Sequence, residues 1–96
     1  MGADSAWAIA AALILSEGRP MHCNEITEAV QSMPYAKFGR KGDPYQSMGS
    51  ILRVKRIDDS LVFCMVDKGS GIYDLVDREW VSQLPDVVWA LRRMSS

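Results

Sequence analysis

The sequence is poor in the residues that metal centres and disulfide frameworks require. It contains two cysteines, Cys23 and Cys64, no C-x-x-C pair, and a single histidine, His22. Four zinc ligands in a recognisable spacing are therefore missing, and two isolated cysteines favour a reduced, intracellular compartment, either nuclear or nucleoid-associated and cytoplasmic. Phosphate-binding loops, dinucleotide fingerprints and paired catalytic carboxylates are missing too, so we predict no metal, no cofactor and no enzymatic activity.

The sequence also lacks an excess of charge of one sign and a long apolar run. The formal net charge is −1 and the pI is about 5.7, which excludes a global attraction to nucleic acid or to an anionic membrane. The apolar run 6–15 is far shorter than the roughly 20 residues of a membrane-spanning helix, and no basic residue precedes it. We therefore expect a core helix there, no membrane contact, and at most a local basic patch.

The residues that are present suit one globular domain, since 48% of the 96 residues are hydrophobic and 24% are charged. The first helix is predicted to stop at Gly18, the residue type that a left-handed helix end prefers. Pro20 restricts the residue before it to extended conformations and predicts a short strand. His22 stands where the cap of a second helix belongs, and Glu25 three positions later completes a capping-box pattern.

The stretch after a basic connection predicts a third helix over residues 43–56 with an unusual outer face. Asp43 can cap the first turn, and Pro44 suits the first helical position because its missing N–H costs nothing there. The predicted buried stripe consists of Met48, Ile51 and Leu52. The opposite side is small and polar, which suits the base edges of a major groove and equally suits a solvated helix face.

Basic residues gather around this third helix and predict a phosphate-binding patch in a nearly neutral chain. Between residues 37 and 57 only Asp43 opposes them, although Asp58, Asp59 and Asp67 are close enough in sequence to weaken the patch. We predict that three residues face the bases: Gln46, Ser50 and Arg53. We predict that six residues hold phosphates: Lys37, Arg40, Lys41, Lys55, Arg56 and Lys68.

The next part of the chain predicts a β-hairpin. Residues 61–66 and 72–76 are rich in β-branched and apolar side chains and flank the glycine-rich turn 67–71. Because Cys64 lies in an alternating strand, we expect it to be buried as a small hydrophobic side chain.

A last helix is predicted after the hairpin. Asp77 can cap it, and Pro85 should bend it or split it in two. Trp7 and Trp80 are expected in the core, whereas Trp89 lies off the apolar stripe of its helix and is expected to be available to a partner or to a second copy of the chain.

Three helices, with a short strand after the first and a hairpin after the third, follow the order of a winged helix-turn-helix domain. We therefore predict an α+β fold with a three-helix core, a small three-stranded antiparallel sheet that includes the wing, and a C-terminal helix. The predicted domain spans residues 4–76, and a C-terminal helical extension spans residues 77–94.

Three segments in this order resemble the HARE-HTH family. A-A-A-L-I-L at 10–15, G-R-P-M-H at 18–22 and E-I at 25–26 are similar to the opening of that domain. D-P-Y-Q-S-M-G-S-I-L at 43–52 resembles its T-P helix, with aspartate in place of the usual threonine, and G-S-G-I-Y-D-L at 69–75 resembles its G-x-G-[IV]-Y-x-L strand.

The resemblance implies a winged helix of the kind found in additional-sex-combs-like chromatin proteins, in restriction endonucleases and in the delta subunit of bacterial RNA polymerase. It implies a DNA-binding or transcription-linked accessory module and a proposed link to sensing DNA modification, and it does not imply catalysis. Our first hypothesis is therefore a module that binds double-stranded DNA with the third helix. The competing hypothesis is a protein-interaction module that docks onto a larger complex through the C-terminal helix and the wing.

Overall fold

The chain folds around its first helix, α1 (Ala6–Glu17), which lies at the centre of the core. The computed structural model describes residues 6–33 and 42–95. Every residue from 6 to 14 is buried, so this part of α1 has no solvent-facing stripe. The helix ends where it was predicted to end, at Gly18, which has a φ of +71° and donates its N–H to the Ile14 carbonyl at 3.0 Å.

The remaining elements surround α1. In chain order they are β1 (Met21–His22), α2 (Cys23–Gln31), α3 (Pro44–Val54), β2 (Arg56–Ile57), β3 (Ser60–Leu61), β4 (Phe63–Met65), β5 (Ile72–Leu75), α4 (Arg78–Ser82) and α5 (Pro85–Met94). The described residues therefore form an α+β fold of five helices with small antiparallel sheets.

The start of α2 confirms the predicted capping box. The Nδ1 atom of His22 accepts the Asn24 N–H at 3.0 Å, and the Glu25 carboxylate accepts the His22 N–H at 3.2 Å. One further hydrogen bond, from the Cys23 N–H to the Gly71 carbonyl at 2.8 Å, ties this helix end to the turn before β5. This meeting point of β1, α2 and β5 is called the joint below.

The predicted three-stranded sheet is present, with strand order β1-β5-β4 and antiparallel pairing throughout. Met21 lies opposite Tyr73, and Phe63 lies opposite Leu75. These four side chains are buried and form the face of the sheet that packs on the helices. The short strand after the first helix therefore pairs with the hairpin, as the predicted order of helices and strands indicated.

A second, two-stranded hairpin between β2 and β3 was not predicted. Asp58 and Asp59 at its tip have φ values of +53° and +67°, and two consecutive positive φ angles are what a two-residue hairpin turn of this hand requires. The hairpin corrects the predicted helix boundary of 43–56, because Arg56 belongs to β2 and α3 ends at Val54.

The C-terminal region contributes to the core. Asp77 caps α4 by accepting the Trp80 N–H at 3.1 Å, and Pro85 begins a separate helix, α5, which confirms the predicted split. α5 packs along α1, and its Val87 and Ala90 side chains are fully buried. Within residues 6–33 and 42–95, the structure has no helix with the length and apolarity needed to cross a membrane.

Candidate nucleic-acid interface

Helix α3 carries the residues that were predicted to read bases, and its orientation is set by its two ends and its apolar stripe. The Asp43 carboxylate accepts the Tyr45 N–H at 2.9 Å, with Pro44 at the first helical position. Met48 and Leu52 are buried in the core. Since these two side chains point inward, the opposite side of α3 faces solvent.

The predicted base-facing residues lie together on that exposed side. Gln46, Ser50 and Arg53 are all exposed, and their spacing of four and three residues places them in one row. The Arg53 side chain folds back along the helix over Gly49, and its Nη1 atom lies 3.2 Å from the position that a Cβ on Gly49 would occupy. The guanidinium therefore lies beside the start of α2, where Cys23 is its neighbour.

Two of the predicted phosphate contacts have partners within the chain. Lys55 follows α3 as its C-cap and is half-buried, with its Nζ atom 4.9 Å from the centre of the Trp7 ring. Arg56 is exposed on β2 and donates from Nη1 to the Asp59 carbonyl at 3.1 Å. Neither residue extends the row of α3, because the chain turns into the β2–β3 hairpin after Val54.

Lys68 is exposed at the tip of the β4–β5 hairpin, as predicted. The tip is closed by a hydrogen bond from the Ser70 N–H to the Asp67 carbonyl at 2.9 Å. An acidic side chain thus stands directly before the lysine in the same exposed turn. The three other predicted phosphate contacts lie outside the described residues: Lys37, Arg40 and Lys41.

The contact between α2 and α3 brings together polar groups that the sequence did not single out. The Tyr45 hydroxyl donates to the Glu28 carboxylate at 3.2 Å, and this hydrogen bond raises the pKa of Tyr45. Burial raises the pKa of the Cys23 thiol, which leaves it a poor nucleophile near neutral pH. Glu28, the partner of Tyr45, adds negative charge beside the first turn of α3. The sequence did not predict this contact, because Glu28 and Tyr45 are far apart along the chain and no local pattern relates them.

The cysteines remain free among the described residues, and one of them corrects a prediction. Cys64 is exposed, not buried, because the alternation of β4 turns Phe63 and Met65 inward and Cys64 outward. Across residues 6–33 and 42–95, no group of three histidine, cysteine or acidic side chains is placed to hold a metal ion.

The tryptophans divide between core and surface. Trp7 is buried, as predicted, while Trp80 and Trp89 are half-buried against the core. The Trp89 ring has the Arg93 guanidinium 5.1 Å from its centre, so part of the ring is covered by a side chain of the same helix.

Comparison of the chain with known protein families, with curated proteins and with solved structures finds no match. The resemblance to HARE-HTH domains therefore stays a prediction from the motifs at 10–26, 43–52 and 69–75.

Proposed function

We propose that this chain is a winged helix-turn-helix module that binds double-stranded DNA, with α3 as the recognition helix and the β4–β5 hairpin as the wing. The observation that carries the proposal is the strand order β1-β5-β4, which joins the hairpin after the third helix to the strand before the second. In winged helix-turn-helix domains this arrangement leaves the third helix exposed beside the wing.

The side chains on the exposed row of α3 have the chemistry that base recognition needs. Gln46 offers an amide donor and acceptor, and Ser50 offers a small hydroxyl that lets the helix approach closely. The Arg53 guanidinium forms no hydrogen bond with another residue of ranges 6–33 and 42–95, so it can rotate away from Gly49 to bind a guanine edge or a phosphate. Lys68 on the wing and Arg56 beside α3 supply phosphate contacts.

We expect modest affinity, closer to micromolar than to nanomolar, because few cations surround α3 and the chain has no basic excess. Such an affinity suits an accessory domain of a transcription, chromatin or restriction protein. The proposal assigns the chain no catalytic role.

The test is a fluorescence-anisotropy titration of the full chain with a labelled random-sequence duplex at about 50 mM and about 200 mM salt. We expect salt-sensitive binding that Arg53→Glu weakens by at least about tenfold. The matched control is Arg92→Glu, the same charge reversal on α5, which should change the affinity by less than about twofold.

Two results would overturn the proposal. One is the absence of binding at the lower salt concentration. The other is an equal loss of affinity in the Arg53 and Arg92 variants, because this would mean that total charge, and not the face of α3, controls binding.

A second candidate function is docking onto a partner protein through the C-terminal helix. It is favoured by the apolar side chains of α5 that are only half-buried: Val88, Trp89, Leu91 and Met94. Failure of the duplex to bind at low salt would make this candidate the first to pursue.

A further inference from the structure

Val54, the last residue of α3, has an apolar side chain that the core does not cover. It is 65% exposed, more than any other large hydrophobic side chain among residues 6–33 and 42–95. Tyr45, the other exposed apolar side chain of α3, is directed towards α2 by the hydrogen bond from its hydroxyl to Glu28. Burial in the core therefore does not explain why an apolar residue stands at position 54.

Val54 lies on the side of α3 that was assigned to the bases. Since each residue turns an α-helix by about 100°, Val54 is about 40° from Ser50 around the helix axis. Arg53 is about 60° from Ser50 in the other direction, where its guanidinium leans towards α2. Val54 and Arg53 therefore flank Ser50, and the buried Met48 and Leu52 are on the far side of the helix.

The end of α3 is held by hydrogen bonds, so Val54 has a defined position. The Lys55 N–H donates to the Ile51 carbonyl at 3.0 Å, and the Lys55 carbonyl accepts the Val62 N–H at 3.1 Å. A valine side chain on a helix has one strongly preferred rotamer because it is branched at Cβ. Val54 therefore directs its two methyl groups one way, and little conformational entropy is lost when they make a contact.

We propose that Val54 contacts the methyl group of a thymine in the major groove and gives the domain a preference for sites that contain thymine. The inference rests on the proposed function and deepens it, because α3 must enter the groove before Val54 can reach a base. Among the four bases of DNA, thymine alone presents a methyl group at the major-groove edge. Contact between this methyl group and Val54 removes apolar surface of both partners from water.

The surroundings of Val54 favour a single methyl group over a partner helix as the occupant. The row that Val54 joins is otherwise polar, since it consists of Gln46, Ser50 and Arg53. A partner helix would need several apolar anchors at helical spacing, whereas this row offers one apolar point. The small side chain of Ser50 beside it lets the helix approach the base edges closely.

The test compares two alternating duplexes in fluorescence-anisotropy titrations of the full chain at about 50 mM salt. One duplex alternates adenine and thymine, so every base pair offers a thymine methyl group whatever the register of binding. The other carries uracil in place of every thymine and lacks only these methyl groups. We expect the thymine duplex to bind about fourfold more tightly, which is about the effect of burying one methyl group.

Val54→Ala removes the contacting methyl groups and should bring the ratio of the two affinities close to one. The matched control is Val76→Ala, the same substitution at a valine that is 53% exposed and directly follows β5, and it should keep the wild-type ratio.

Three results would overturn the inference, and they separate it from the proposed function. A wild-type ratio close to one, with both duplexes bound, would remove the thymine contact and leave DNA binding in place. The same ratio in the wild type and in both valine variants would mean that the preference comes from the duplexes and not from Val54. Failure of both duplexes to bind would overturn the proposed function and this inference with it.

Discussion

Helix α1 and the joint are held together by different forces. From residue 6 to residue 14 α1 is buried, and its side chains there are alanine, isoleucine, leucine and tryptophan. The joint is half exposed and is held by hydrogen bonds among His22, Glu25 and the backbone at Cys23 and Gly71. α1 therefore depends on the exclusion of water from apolar surface, and the joint depends on the placement of individual polar atoms.

This difference determines how each region responds to change. Loss of apolar volume in α1 leaves a cavity that the surrounding helices cannot fully close. At the joint, a substitution lowers stability only if it removes or displaces one of the few atoms that form these hydrogen bonds. Predictions for the two regions therefore differ in size and in their sensitivity to pH.

The largest effect is expected from Ile14→Ala. The Ile14 side chain is fully buried, so its truncation should lower the free energy of unfolding by about 2–5 kcal/mol. Urea denaturation followed by tryptophan fluorescence measures the loss. The control is Val76→Ala, since Val76 is 53% exposed, and its effect should stay within about 0.5 kcal/mol. Similar losses in the two variants would contradict the central position of α1.

An intermediate effect is expected from Gly71→Ala at the joint. Gly71 has a φ of +77°, and a Cβ there would lie 2.8 Å from the Nε2 atom of His22. Gly69 has a φ of +80° with nothing within 4 Å of its Cβ position. Gly69→Ala therefore measures only the cost of placing a Cβ on a backbone with positive φ, about 1 kcal/mol. We expect Gly71→Ala to cost about 1–3 kcal/mol more, because the capping histidine must move.

A second comparison identifies the source of that additional cost. In a chain that already carries His22→Ala, Gly71→Ala should cost no more than Gly69→Ala, since the obstructing ring is gone. If the difference between the two glycine variants persists without the ring, contact with His22 does not explain it.

Local signals made much of the fold predictable from the sequence. The capping residues His22 and Asp43, and the prolines at 44 and 85, each act within one turn of the chain, and the structure confirms all four. The packing of α5 against α1 was not predictable in the same way. The alanine-rich sequence of α1 does not show whether one side of the helix or every side is buried.

The errors arose where one residue of register decides the outcome. Cys64 was expected to be buried. Neighbouring side chains of a strand point to opposite faces, and burying the larger, more apolar Phe63 side chain leaves Cys64 on the exposed face. The candidate site shows the same limit. Gln46, Ser50 and Arg53 share a face because helical spacing requires it. The positions of Lys55 and Arg56 instead depend on the pairing of β2 with β3, which the charge pattern did not indicate.

The smallest expected effect is a dependence on acid at the joint. Hydrogen bonds from the Arg19 guanidinium and from the His22 backbone lower the pKa of the Glu25 carboxyl below its ordinary value of 4.5. As the pH falls, the unfolded chain therefore takes up a proton at Glu25 before the folded chain does. The stabilisation is complete above the ordinary pKa and is lost as the pH falls through the lower pKa of the folded state.

Glu25→Gln tests this directly, because glutamine keeps an acceptor for the His22 N–H but does not titrate. The melting temperature of the wild type should exceed that of the variant at pH 6, and the difference should shrink towards pH 3. Glu17→Gln is the control, since its carboxylate lies 3.7 Å from the same Arg19 guanidinium without a place in the capping box. A difference between Glu25→Gln and the wild type that stays constant from pH 6 to pH 3 would show that the charge of Glu25 does not stabilise the joint. Whatever Glu25 contributes would then come from contacts that do not depend on its charge, and the joint would be as indifferent to pH as the apolar helix α1.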